Sequence, residues 1–100
     1  MFSTHWDEAS RTLSVSGEID ASTADSFRNA VLAVACGDAP VRLDLGGVTF
    51  MDSTAVGAML DAAEELHDRF ELGAVNERVR QLFLILGLDE VFPELQGGSS

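Results

Sequence analysis

Lysine is absent from this sequence. Six arginines supply all of its fixed positive charge, against 17 aspartates and glutamates, and the formal net charge is −11. Such a surface repels phosphate backbones and anionic lipid headgroups, which excludes nucleic acid and membrane as expected direct partners. A partner with a basic or mixed patch is favoured and steered in. Cysteine occurs once, at Cys36, so no internal disulfide can form and the chain reads as cytoplasmic. Cys36 falls near the end of an expected helix, where a packed, unreactive thiol is the ordinary outcome. No apolar run reaches membrane-spanning length, because Asp52 and Asp61 interrupt the most hydrophobic region. The opening Met1-Phe2-Ser3-Thr4-His5 lacks the basic start and apolar block of a leader peptide.

The usual catalytic and cofactor patterns are missing as well. His5 and His67 lie far apart, and no His or Cys cluster offers zinc ligands, so neither metal nor cofactor is expected. Gly46-Gly47 is followed by no Gly-Lys-Ser/Thr, so it is not a phosphate loop. Ser53 is flanked by Met51-Asp52 and Thr54-Ala55-Val56-Gly57, which is not a Gly-x-Ser-x-Gly elbow. A triad of Ser53, His67 and Asp52 would need His67 to reach along one helix, about 20 Å at 1.5 Å per residue. A non-catalytic regulatory domain is the expectation.

What is present is a globular pattern. Apolar residues make up 46% of the 100 positions, enough for a modest core. We expect one domain over residues 1–96 and a flexible tail at 97–100, where the sequence runs Gly-Gly-Ser-Ser. Residues 2–7 and 12–16 read as a hairpin joined by the polar link Glu8-Ala9-Ser10-Arg11, with Leu13 and Val15 on one face. Gly17-Glu18-Ile19-Asp20 leads out of it. Ser22 with Asp25 three residues later predicts an N-cap and a helix with Ala24, Phe27, Val31, Val34 and Ala35 inward. Gly37 and Pro40 end that helix. A strand over 41–45 follows, loosened at Gly46-Gly47 and resumed over 48–51. A second helix from Ser53 carries an apolar stripe of Val56, Met59, Leu60, Ala63, Leu66 and Phe70, opposite Asp61, Glu64, Glu65 and Asp68. A strand over 70–75 and a helix over 76–86 complete the pattern, with Val79, Leu82, Phe83 and Leu86 inward and Gly87 as its stop. Leu88, Val91 and Phe92 are expected to pack back.

The order β-β-α-β-α-β-α predicts an α/β fold with a small mixed sheet. Its N-terminal antiparallel hairpin precedes parallel strands, and the helices cover mainly one face. Asp52-Ser53-Thr54 stands at a strand-to-helix junction. Two readings of Ser53 are open on physical grounds. It is an ordinary N-cap, whose loss costs about 1 kcal/mol, or it is a hydroxyl placed for modification. The helix N-terminus tolerates a phosphate there, since its dipole offsets added negative charge.

A resemblance decides between these readings. Gly17-Glu18-Ile19-Asp20 and the stretch Val41-Arg42-Leu43-Asp44-Leu45-Gly46-Gly47-Val48-Thr49-Phe50-Met51-Asp52-Ser53-Thr54 resemble the anti-sigma factor antagonist (STAS domain) family of bacteria. Asn76-Glu77-Arg78-Val79-Arg80-Gln81-Leu82-Phe83 and Gly87-Leu88 resemble its third-helix region. The resemblance implies a STAS-like fold and a protein that binds an anti-sigma factor, commonly a serine kinase of the histidine-kinase-like ATPase fold. Binding releases a sigma factor; phosphorylation at the start of the second helix ends binding, and a phosphatase restores it. The implied phosphoacceptor is Ser53, with Thr54 as the alternative. The implied partner surface comprises Asp20, Ser22, Thr23, Asp52, Ser53, Thr54, Val56 and Gly57. Many relatives carry glycine where this chain has Ala55. The competing reading is a ligand-sensing or scaffold module of the same fold, with Ser53 only a cap.

Overall fold

The computed structural model describes residues 1–93 and Leu95. The expected tail at 97–100 lies outside the described residues. Strands β1 (Phe2–Asp7), β2 (Thr12–Ile19), β3 (Val41–Met51) and β4 (Phe70–Val75) form a four-stranded sheet in the order β1-β2-β3-β4. Helices α1 (Ala24–Ala33), α2 (Ser53–Leu66) and α3 (Glu77–Ile85) follow β2, β3 and β4. β1 pairs with β2 antiparallel; β2 with β3 and β3 with β4 pair parallel. The expected mixed α/β order is therefore the observed one.

The two parallel steps run in the same direction across the sheet. Right-handed crossovers then set α1 and α2 on one face. The strand side chains turned toward that face, among them Leu13, Val15, Ile19, Val41, Leu43, Leu45 and Leu72, are buried. Those turned away, such as Ser3, His5, Ser16, Arg42 and Glu71, are exposed. Phe27 of α1 and Phe83 of α3 are completely buried, each stabilising the fold by about 1.5–3 kcal/mol through apolar burial.

Local details depart from the sequence pattern. β2 runs on to Ile19 instead of stopping at Ser16. Gly17 permits this with φ +98°, in a place where a Cβ would sit 2.6 Å from the Met1 carbonyl oxygen. β3 is one continuous strand, with Gly46-Gly47 inside it as a bulge. Ser14 pairs with Asp44 but Ser16 with Gly47, so β3 carries one extra residue there. A Cβ on Gly47 would lie 2.8 Å from that of Ser16. A second bulge follows, since Gly17 pairs with Val48 but Glu18 with Phe50. The bulges bury Val48 and Met51 and leave Phe50 48% exposed on the open face.

The α1 cap also differs. Its N-cap is Thr23, not Ser22, and the Thr23 side chain makes no capping bond. The Ser22 and Thr23 hydroxyls donate to the Asp20 carboxylate instead, at 2.7 and 3.2 Å. α1 ends at Ala33, leaving Val34 and Ala35 half-buried, and Cys36 beyond it is exposed, not packed. The buried stripe of α2 is Ala55, Val56, Ala58, Met59, Ala62 and Leu66. Leu60 and Ala63 are only partly buried, and Phe70 belongs to β4, where it packs against Phe92. Leu86 and Val91 face solvent, because Gly87 at φ +78° turns the chain before Leu88 and Phe92 reach the core.

Candidate functional site

Parallel pairing decides where the site lies. Ile19 and Met51 end β2 and β3 as register partners, so the segments that follow emerge side by side. Such crevices beyond the carboxyl ends of parallel strands are common ligand positions. The Asp52 N–H donates to the Ile19 carbonyl at 3.3 Å, carrying the ladder one step past the strands.

Asp52, and not Ser53, caps α2. Its Oδ1 accepts from the Ala55 N–H at 2.9 Å, the bond typical of an N-cap. Its Oδ2 accepts from the Ala21 N–H at 3.1 Å, across the gap to the segment after β2. One carboxylate thus serves two backbone donors on different elements. Ser53 occupies the first helical position and is exposed. Its hydroxyl makes no hydrogen bond among the described residues. Thr54 is exposed beside it. The view of Ser53 as an ordinary cap is thereby overturned, because the residue before it holds the orphan amide.

The facing turn is built on Asp20. The Thr23 N–H donates to the Asp20 carbonyl at 3.0 Å, closing a β-turn over residues 20–23. The Asp20 carboxylate accepts from the Ser22 N–H at 3.0 Å as well as from both hydroxyls. Hydrogen bonding, first from the Ser22 side chain, lowers the Asp20 pKa below its ordinary 3.8. Asp20 is an anion at neutral pH that shapes its own turn.

The structure brings Asp20, Ser22, Thr23, Asp52, Ser53 and Thr54 to one end of the sheet. Gly57 is exposed one turn along α2, with open space where a Cβ would point. Val56 is a correction to the expected surface: it is 3% exposed and faces the core. Sequence reading missed the Ala21 amide, which no side-chain pattern reveals. It also missed Phe50, whose outward turn depends on the bulge at Thr49.

The carboxylates of Asp20 and Asp52 stand at this end of the sheet, and five of the six arginines are engaged elsewhere; the sixth, Arg78, is exposed beside Val48, Thr49 and Asn76. Arg28 pairs with Glu65, Arg42 with Glu71 and Arg80 with Glu77. Arg11 and Arg69 donate to backbone carbonyls near the end of α1. α1 and α3 carry an acid in their first turn, Asp25 and Glu77, whereas α2 carries none. His67 sits at the far end of α2, about 20 Å from Ser53 at the helical rise. Among the described residues no group of three His, Cys, Asp or Glu side chains could hold a metal ion, and no helix is long and apolar enough to cross a membrane.

A four-stranded mixed sheet with helices on one face, and an exposed serine at the start of the helix after its third strand, define a small α/β domain. The family model described as "Mlab, STAS domain" matches residues 2–96, and the chain belongs to that family, the STAS domains. It is 36% identical over 81 residues to the anti-sigma-B factor antagonist of Listeria monocytogenes, covering 77% of this chain and 71% of that one. The Listeria innocua protein of the same name matches equally. A crystal structure of an anti-sigma factor antagonist from Mycobacterium paratuberculosis superposes with a TM-score of 0.79 at 29% identity, over 93% of this chain and 84% of that one.

Proposed function

We propose that this chain is an anti-sigma factor antagonist: residues 1–96 form one cytoplasmic STAS domain that binds an anti-sigma factor and so releases a sigma factor for transcription. The partner is a serine kinase of the histidine-kinase-like ATPase fold. It ends the interaction by phosphorylating Ser53, and a phosphatase restores the binding form. The chain is substrate and ligand in this cycle, not catalyst, in keeping with the names of its relatives.

The observation that carries this reading is the unbonded, exposed Ser53 hydroxyl beside a cap supplied by Asp52. A hydroxyl used as a cap would have to leave its amide in order to react. Here it is free to meet a kinase while the helix stays capped. In the transfer, the γ-phosphoryl of ATP passes to Ser53 Oγ, the hydroxyl proton goes to a carboxylate base of the kinase, and ADP leaves. The product carries about −1.5 to −2 charges. Once that base passes its proton to solvent, the phosphate faces a carboxylate again, and like charges so placed cost several kcal/mol. The α2 dipole offsets roughly 0.3–1 kcal/mol of the added charge, so the fold persists while binding is lost.

The test is incubation with ATP and the cognate anti-sigma kinase, followed by mass-spectrometric mapping. One phosphate on Ser53 is expected. Ser53→Ala should block it and keep binding, and Ser53→Asp should weaken binding. Phosphate on Thr54 alone would move the switch by one residue. A chain that neither binds the kinase nor accepts phosphate at either position is not an antagonist of this kind.

A further inference from the structure

We infer that Asp52 is a positioning residue that locks the turn at residues 20–23 to the start of α2, so that the partner reads the two segments as one rigid surface. The inference rests on the reading of Ser53 as the partner's phosphoacceptor, and adds how the rest of the surface is aligned with it.

The two segments are separate in the chain, and among the described residues the Ala21–Asp52 bond is joined only by the Asp52 N–H to Ile19 carbonyl bond, one residue before the turn. Asp52 Oδ1 holds Ala55, and with it Ser53 and Thr54, at 2.9 Å. Asp52 Oδ2 holds Ala21 at 3.1 Å, at the second position of the turn closed by Thr23 and Asp20. Both bonds are charge-assisted, which makes them the stronger kind. Asp20 organises the interior of the turn through Ser22 and Thr23 but leaves its placement against α2 undecided. The ladder bond to Ile19 anchors the residue before the turn, and the Ala21–Asp52 bond fixes the turn itself against α2. A partner docking over Ser53 then meets Asp20 and Ser22 at a fixed offset and spends no binding energy on ordering a loop. Only a residue with two acceptors and no donor can do this, because both of its partners are N–H groups.

The experiment removes the lock from each side. Ala21→Pro deletes the donor and suits the second position of a β-turn, while leaving the α2 cap in place. Asp52→Asn keeps an acceptor for Ala55 and turns an NH2 toward Ala21. Ala21→Gly keeps the N–H and serves as the control. The readouts are steady-state phosphorylation of Ser53 by the cognate kinase and amide hydrogen exchange of the free protein. Ala21→Pro and Asp52→Asn should each raise KM for the chain about tenfold, the size of one lost hydrogen bond to a charged group, with kcat nearly unchanged. The double variant should be no worse than either single one. Ala21→Gly should keep the wild-type KM. In Asp52→Asn, exchange at Ala21 should accelerate while Ala55 stays protected. Wild-type KM in both variants, or losses that add in the double variant, overturns the lock and leaves Ser53 standing as the acceptor. No phosphate on the wild-type chain overturns both.

Discussion

The N-termini of α2 and α3 look alike and are built for opposite neighbours. Asp52 caps α2 and Asn76 caps α3, and each accepts from the amide three residues on at 2.9 Å. What separates them is the other half of the side chain. The second oxygen of Asp52 meets a donor, the Ala21 N–H. The NH2 of Asn76 meets two acceptors, the carbonyls of Gly46 and Val48, at 3.2 and 2.6 Å. Helix capping alone accepts either residue type. The second contact chooses, because a carboxylate only accepts and an amide also donates. One cap therefore ties α2 to a surface turn, and the other pins the β3 bulge from within.

The comparison can be broken hardest at Asn76. Asn76→Asp keeps the cap but points a carboxylate at two carbonyl oxygens and removes both bonds. Denaturant unfolding at neutral pH should show a loss of about 3 kcal/mol. A change under 0.5 kcal/mol would mean that the amide is not what holds the bulge.

The α2 end should respond less, and should separate stability from function. Asp52→Ala removes the cap and the Ala21 tie together, and about 2 kcal/mol is expected from the same unfolding measurement. Ser53→Ala, one residue on, should change stability by less than about 0.5 kcal/mol, because its hydroxyl bonds to nothing in the fold. If Ser53→Ala costs as much as Asp52→Ala, the capping duty has been assigned to the wrong residue.

The smallest effect concerns the turn facing α2. The Asp20 pKa is held below 3.8, first by the Ser22 hydroxyl. A depressed carboxylate stabilises the folded state above its unfolded pKa, and that contribution is lost as pH falls through the folded value. The Asp20 carboxyl should therefore titrate below 3.8 by NMR, and Ser22→Ala should move its midpoint upward. An unmoved midpoint would leave the hydroxyl without a part in the turn.

Much of this is legible in the sequence alone. Alternation in β2 and the apolar spacing of α2 and α3 are local properties, and the element order followed from them. Ser53 stood out from motif and position together. Two kinds of feature escaped. Ala62 lies outside the apolar stripe expected of α2, and for Ala55 and Ala58 the sequence leaves open close helix–sheet packing or close approach of a partner, because alanine carries little hydropathy signal; all three are buried. The α1 cap was misassigned because Asp20, lying upstream of the expected capping box, competes for the same hydroxyls.

By itself the sequence determined the succession of strands and helices, the net negative charge and the presence of a serine at a helix start. Those depend on neighbours within a few residues, where propensity and periodicity act. Only the tertiary structure decided that the cap residue Asp52 also reaches Ala21, 31 residues away in the chain. That bond exists because Ile19 and Met51 end as partners in a parallel pair. Such a pairing is made across a crossover helix, and no local window of residues contains it.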